Sequence, residues 1–293
     1  MGKRIAIIGA GISGLLACKH TMKRGFEPVV FESRGQIGGI WSNTIESTKL
    51  QTPKQFYQFS DFPWPDCVKG NFPHHTEVLR YLQSYAEHFG ILPRIKFRTK
   101  VTSVDYTESS KTWTLSVMNF DGSVEVHEFD FVILCIGRYS DLPNVPDFPW
   151  KKGPEVFNGH VSHFMDFASM DRSLSNEAIT GKRVVIVGFQ KSAVDLAVEI
   201  ATKNGNFFDT NATRMDTDSS ASSGKEYPCT LIFRTVHWTV PEKMLERSIK
   251  SMNRFTELLV HRPMEGFLRW VLVLLLTPLV RRLPRNLERQ KVI

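Results

Sequence analysis

Gly9, Gly11 and Gly14 stand at Gly-x-Gly-x-x-Gly spacing directly behind an apolar run at residues 4–8. The first glycine permits a tight turn, the second lets backbone approach a pyrophosphate, and the third brings a helix close to a strand. The free N–H groups and positive end of that helix then face the anion. Glu32 ends the next apolar run, where a carboxylate can accept from ribose hydroxyls. Gly9, Gly11, Ser13, Gly14 and Glu32 are therefore the candidate residues of a dinucleotide site. A second turn, Gly188-Phe189-Gln190-Lys191-Ser192-Ala193, follows the apolar run at 183–187. Gly188 and Ala193 hold its outer positions, while Gln190 replaces the middle glycine. Arg234 ends the strand expected after it, where a ribose reader would be acidic. A guanidinium there suits the 2′-phosphate of NADP. Gly188, Ser192, Ala193, Arg234 and Thr235 form this second set.

The elements that must position these residues are legible from pattern. Residues 4–8 and 29–31 read as parallel strands around a helix that stops at Gly25. Residues 35–75 are rich in Gly, Pro, Phe and Trp and read as ordered loops. Thr76 is expected to cap a helix that ends at Gly90. From 95 to 129 the period becomes two, with Asp121-Gly122 as a hairpin turn. The run at 131–135 is expected to be a buried strand returning to the first sheet. Pro143, Pro146 and Pro149 mark a boundary. The second strand–turn–helix spans 183 to 204, followed by a polar, low-complexity loop at about 205–227. The uncharged run at 270–280 is too short to span a bilayer. It reads as a buried or surface helix, with membrane contact through 266–283 as an alternative.

The chain has 293 residues, enough for two domains, and a formal net charge of +7. Neither a basic stripe nor a nucleic-acid module is present, so nucleic acid is not an expected partner. Cys18, Cys67, Cys135 and Cys229 are scattered without CxxC spacing, which argues against a metal site and fits a reducing, cytoplasmic setting. The adjacent His74 and His75 lack further ligands and read as surface residues.

Between the two units lies the stretch 157–167, which reads Phe157-x-Gly159-x-x-x-His163-x-x-x-Phe167. With Gly38-Gly39-Ile40-Trp41, Leu50-Gln51-Thr52-Pro53-Lys54 and Asp61-Phe62-Pro63, the chain resembles the plant flavin-containing monooxygenases, of the class B flavoprotein monooxygenase family. The resemblance covers nearly the whole chain. It implies an α/β fold of two Rossmann-like dinucleotide-binding domains. The first, 1–155, would bind FAD and carry a β-meander at about 95–130. The second, 156–293, would bind NADPH and be incomplete. Gly39 and Trp41 would line the flavin, and Gln51 would face the reaction centre. The 157–167 motif reads as a linker and brace, not as a catalytic acid or base.

The reaction so implied is hydride transfer from NADPH to FAD, addition of O2 to give a flavin C4a-hydroperoxide, and oxygenation of a nitrogen or sulfur nucleophile on a small metabolite. Three departures from the family pattern stand out. Gln51 occupies a place often held by asparagine. Cys135-Ile136-Gly137 replaces Ala-Thr-Gly. The sequence stops at Ile293, where relatives continue, which suggests a truncated form. Two other readings stay open: an NADPH oxidase or reductase flavoprotein, and a non-catalytic fragment that binds nucleotide or a full-length partner. Peripheral association with the endoplasmic reticulum is the alternative location.

Overall fold

In the computed structural model the described residues are 2–138, 143–204 and 229–234. Thr235, the low-complexity loop and the run at 266–283 lie outside them. By contacts the chain divides into two compact units, Met1–Ile186 with Gln190–Cys229, and Val187–Phe189 with Thr230–Ile293.

The first unit opens with β1 (Arg4–Ile8), α1 (Ile12–Lys23) and β2 (Glu27–Phe31). β1 and β2 are parallel, with Ile8 opposite Phe31. Gly25 turns the chain out of α1 at φ 79°. After the loops and a one-turn helix, α2 (Lys54–Tyr57), comes α3 (His75–His88). β3 (Ile95–Lys96) joins β2, and β7 (Phe131–Leu134) joins β1, both in parallel. The sheet order is thus β3-β2-β1-β7. Between β3 and β7 an antiparallel meander is inserted, β4 (Thr99–Thr107), β5 (Thr112–Asn119) and β6 (Val124–Phe129). The meander thus begins at Thr99; residues 95–96 belong to the parallel sheet instead. Gly122 turns the β5–β6 hairpin at φ 83°.

Each face of the parallel sheet has its own core. One is built from Ile5, Ile7, Leu15, Cys18, Val78, Tyr81, Leu82 and Tyr85, so α1 and α3 bury their apolar stripes together. On the other, Ala6 and Phe31 meet Leu115, Val117 and Phe129 of the meander. Aromatic contacts order the 50–75 loops: Trp64 stacks on Tyr81 with centroids 4.0 Å apart, and Phe59 lies 4.1 Å from Tyr85. Lys19 is buried among Tyr85 and Phe89 and pairs with Asp61.

Two expectations are corrected. His74, not Thr76, is the N-cap of α3: its imidazole accepts from Thr76 N–H, and Glu77 reaches back to accept from His74 N–H at 2.9 Å. That reciprocal box needs an acceptor at the cap and an acid three residues on, and imidazole supplies the first. His74 and His75 are accordingly half-buried instead of surface residues, and His75 Nδ1 is enclosed without a hydrogen-bond partner. Burial lowers the His75 pKa, and neighbouring His74 lowers it further. Second, β7 is not buried. Phe131 is 57% and Leu134 64% exposed; among the described residues β7 is the last strand of its sheet, and only part of it is covered.

The remaining elements are α4 (Phe164–Ser169), α5 (Arg172–Ile179), β8 (Val184–Val187), α6 (Lys191–Asn204) and β9 (Cys229–Ile232). β8 and β9 form a separate two-stranded sheet. The fold is α/β, with Rossmann-like strand–turn–helix units and a meander inserted in the first.

Candidate functional site

β1 delivers the chain into Gly9 at φ 101°, where a Cβ would lie 2.5 Å from the Cys135 carbonyl oxygen. A Cβ on Gly14 would collide with the Gly9 carbonyl oxygen, so α1 sits directly on the turn. Gly11 is the N-cap of α1 and contributes no side-chain bond. The first helical bond runs from Leu15 N–H to Gly11 C=O, 3.0 Å. The amides before it have no partner within the helix and are free for an anion. Ser13 is exposed beside them. Glu32 is buried, and its two oxygens accept from different amides: Oε2 from Ala10 N–H at 2.7 Å, Oε1 from Arg34 N–H at 2.9 Å. Ser33 Oγ also donates to Oε1, at 3.4 Å, so Oε2 is the oxygen that keeps a lone pair for a hydroxyl donor. The carboxylate therefore ties the end of β2 to the glycine turn.

The Gly38-Gly39-Ile40-Trp41 segment closes over this turn. Gly38 N–H donates to Ala10 C=O at 3.0 Å, and both glycines have positive φ, 119° and 57°. A Cβ on Gly11 would sit 3.6 Å from Gly39 Cα, so two glycine backbones form one wall that side chains would fill. The residues fit a dinucleotide: free amides for the pyrophosphate, a carboxylate for the ribose, and a bare backbone wall. Trp41 is half-buried; its indole N–H donates to the Tyr57 hydroxyl at 2.6 Å, and the rings meet edge to face. Burial pushes the Tyr57 hydroxyl up to about 12.

The loop after Trp41 is fastened to later elements of the same unit. Ser169 Oγ donates to Asn43 Oδ1 at 3.2 Å, and Arg172 pairs with Glu46. Ser47 N–H donates to Glu199 Oε2, and Ser47 Oγ to Asp195 C=O, both at 3.2 Å. Burial alone would raise the Glu199 carboxyl, but Lys203 and Ser47 hold it below the usual carboxylate value. A cavity of about 290 Å³ opens between Arg34, Ser42 and Asn43 and the α4 residues Met165, Asp166 and Ser169. In the 157–167 motif, His163 accepts from Met165 N–H at 3.2 Å and caps α4. Phe167 is buried, and Phe157 is 61% exposed.

The second turn is plainer. Gly188 has φ 136° and donates its N–H to Ile232 C=O at 2.8 Å. Phe189 and Phe233 stack beside it, centroids 4.4 Å apart. Arg234 is exposed just past β9. In the other unit, Ser192 is exposed and Ala193 half-buried in the first turn of α6, beside a Lys191–Asp195 ion pair.

The structure thus brings Gly9, Gly11, Gly14, Glu32 and Gly39 together, with Ser13 and Trp41 adjoining. Gln51 is exposed, and its neighbours bond elsewhere: Leu50 N–H to Pro73 C=O and Lys54 N–H to Asn71 C=O, 2.8 and 2.7 Å. Sequence reasoning missed Arg34, whose proximity to Glu32 was its one signal, and missed the Asn43, Glu46 and Ser47 anchors, which carry none. Among the described residues no cluster of His, Cys, Asp and Glu could hold a metal ion, and no helix is long and apolar enough to cross a membrane.

The chain is 39% identical over 258 residues to flavin-containing monooxygenase 2 of Arabidopsis thaliana, covering 81% of this chain and 52% of that protein. It is 38% identical over 215 residues to human flavin-containing monooxygenase 5, covering 68% and 38%. The chain spans about half the length, or less, of these curated relatives. Among solved structures it is similar to an S-allyl-L-cysteine S-oxygenase from Allium sativum, at 25% identity and TM-score 0.57, covering 80% of this chain and 56% of that one. A family model described as flavin-binding monooxygenase-like matches residues 2–265. With the glycine turn, the buried acid and the Gly-Gly-Ile-Trp wall all in place, the chain belongs to the flavin-binding monooxygenase-like family.

Proposed function

We propose that this chain is the nucleotide-binding part of an FAD- and NADPH-dependent monooxygenase. It would transfer one oxygen atom of O2 to a nucleophilic nitrogen or sulfur of a small metabolite. The observation that carries the reading is the Glu32 carboxylate, held to the glycine turn by Ala10 N–H beside the Gly38–Gly39 wall. The relatives' names support the reaction class, one being an S-oxygenase and another an N-oxide-forming dimethylaniline monooxygenase. Relatives of both kinds leave nitrogen and sulfur equally served.

In this reading residues 1–155 hold FAD and 156–293 hold NADPH. Amides of Gly11, Ser13 and Gly14 bind the pyrophosphate, and Gly9 sets the turn. Glu32 accepts from the adenosine ribose, and Gly39 and Trp41 face the flavin. Gly188, Ser192, Ala193, Arg234 and Thr235 receive NADPH, with Arg234 on the 2′-phosphate. Gln51 offers a donor and an acceptor near the reaction centre. FAD, when bound, supplies the redox chemistry and the activation of O2. The protein binds, orients and excludes water, and uses no nucleophile of its own. The four free cysteines suit a reducing cytoplasmic setting.

The test is a near-ultraviolet and visible spectrum of the purified chain, before and after anaerobic NADPH. A flavin spectrum that bleaches is expected. A colourless protein that also takes up no added FAD would remove the reading for this chain.

A further inference from the structure

Arg34 is not among the residues the family pattern picks out, yet it touches both ends of the first site. Its backbone N–H donates to Glu32 Oε1 at 2.9 Å. Its guanidinium donates to Gly39 C=O at 3.0 Å and to Ser42 Oγ at 3.4 Å. Ser42 Oγ in turn donates to the same Gly39 carbonyl at 2.7 Å. Gly39 has positive φ and lies against Gly11, so this carbonyl belongs to the wall of the dinucleotide cradle. A short glycine-rich loop has little rigidity of its own, because glycine leaves the backbone free to move. Here a guanidinium hydrogen bond and a shared hydroxyl supply that rigidity. Because one residue makes the amide contact and the guanidinium contact, the loop's position is referred to the carboxylate.

Resting on the FAD reading above, we propose that Arg34 is a positioning residue. It locks the Gly38–Ser42 loop to the ribose-binding carboxylate, so that the loop is preformed for the flavin end of FAD. The alternative role for a cation here is attraction of the pyrophosphate. The two roles separate by ligand. A phosphate partner would matter equally for ADP and FAD, since both carry the pyrophosphate. A loop lock matters for FAD and little for ADP, which lacks the flavin.

The experiment is titration of the full chain and of Arg34→Gln, Arg34→Lys and Ser42→Ala with FAD and with ADP, by fluorescence or calorimetry. Thermal unfolding of each apo protein shows whether it is folded. Arg34→Gln is expected to weaken FAD on the order of tenfold and ADP by less than about threefold, the loss of one charge-assisted bond. Arg34→Lys keeps one donor for Gly39 C=O and should recover most of the FAD affinity. Ser42→Ala, a milder change, should weaken FAD by roughly threefold and leave ADP unchanged. Equal losses for both ligands, an unchanged FAD affinity, or no recovery with lysine would each overturn the inference while the FAD reading stands. A native chain that binds ADP but not FAD would overturn the FAD reading itself, and the inference with it.

Discussion

The turn after β1 and the turn after β8 have the same sequence logic and different support. β1 has parallel partners on both sides, and Ile5, Ala6 and Ile7 are all buried. The helix α1 rests on Gly9 through Gly14 with no side chain between them. Beside the other turn, Val185 is 56% and Val187 82% exposed, and among the described residues β8 pairs with β9 alone. The helix α6 has Ile200 fully buried, carries the ion pairs Lys191–Asp195 and Lys203–Glu199 within itself, and bonds the Ile179 carbonyl and Gly181 N–H through its last residue, Asn204. A close-packed apolar interior resists a new atom, whereas a half-exposed setting has room to adjust at modest cost. The same motif is therefore rigid at one place and adjustable at the other.

The sharpest way to break this comparison is Gly14→Ala. Its new Cβ meets a backbone carbonyl, not the end of a flexible side chain, so strand or helix must move. We expect a loss of about 3 kcal/mol in urea unfolding, at the upper end of common single-site effects. A loss under 1 kcal/mol would show that the first turn is no more rigid than the second. Next in size is Arg234→Ala, which probes the second turn through its ligand. NADPH affinity should fall on the order of tenfold with NADH unchanged, since only NADPH has the 2′-phosphate. Parallel losses for both would remove Arg234 from that role.

What the sequence disclosed divides along the same line. The Gly9 turn, Glu32 and the strand pairing were legible because their signals are local: glycine spacing, an acid at a strand end, apolar runs. The Asp121-Gly122 hairpin was legible for the same reason. The cap of α3 was misplaced by two residues because Thr76 is a common cap type and His74 is not, although Glu77 had already marked the box. The exposure of β7 was hidden, since an apolar run does not state how many neighbours will cover it. The contacts of Arg34 to Gly39 and Ser42, five and eight residues on, were invisible because an irregular loop has no period from which to read them. The anchors at Asn43, Glu46 and Ser47 join residues 126 or more positions apart, and no spacing rule connects them.

Glu199 sharpens the comparison from the polar side. Its carboxylate joins Ser47 and Lys203, so α6 is fastened to the loop beyond Trp41 through one ionised group. Because its pKa is lowered in the folded chain, the unfolded chain takes up the proton first as pH falls. Its contribution is therefore full above the ordinary glutamate value, about 4.3, and is lost as pH drops through the folded value. Glu199→Gln should cost about 1–2 kcal/mol at neutral pH, the scale of charge-assisted hydrogen bonds. The gap between variant and native chain should then narrow below about pH 4.3. A gap that stays constant across that range would mean the fastening is neutral hydrogen bonding, not charge.

The smallest expected effect is the mirror of the largest. Ala193 stands in α6 where Gly14 stands in α1, so the second turn already carries the methyl group that the first excludes. Ala193→Gly removes little packing, because the residue is only half-buried. What remains is the entropic cost of glycine in a helix, roughly 0.5–1 kcal/mol. Unfolding of this variant beside Gly14→Ala compares the same single-methyl difference in two settings. A cost for Ala193→Gly near that of Gly14→Ala would mean that the methyl is a packing element, and that the second turn is as closely built as the first. A cost within the helix-propensity range means the two turns differ in kind, the first defined by contact between backbones and the second open enough to spare the methyl.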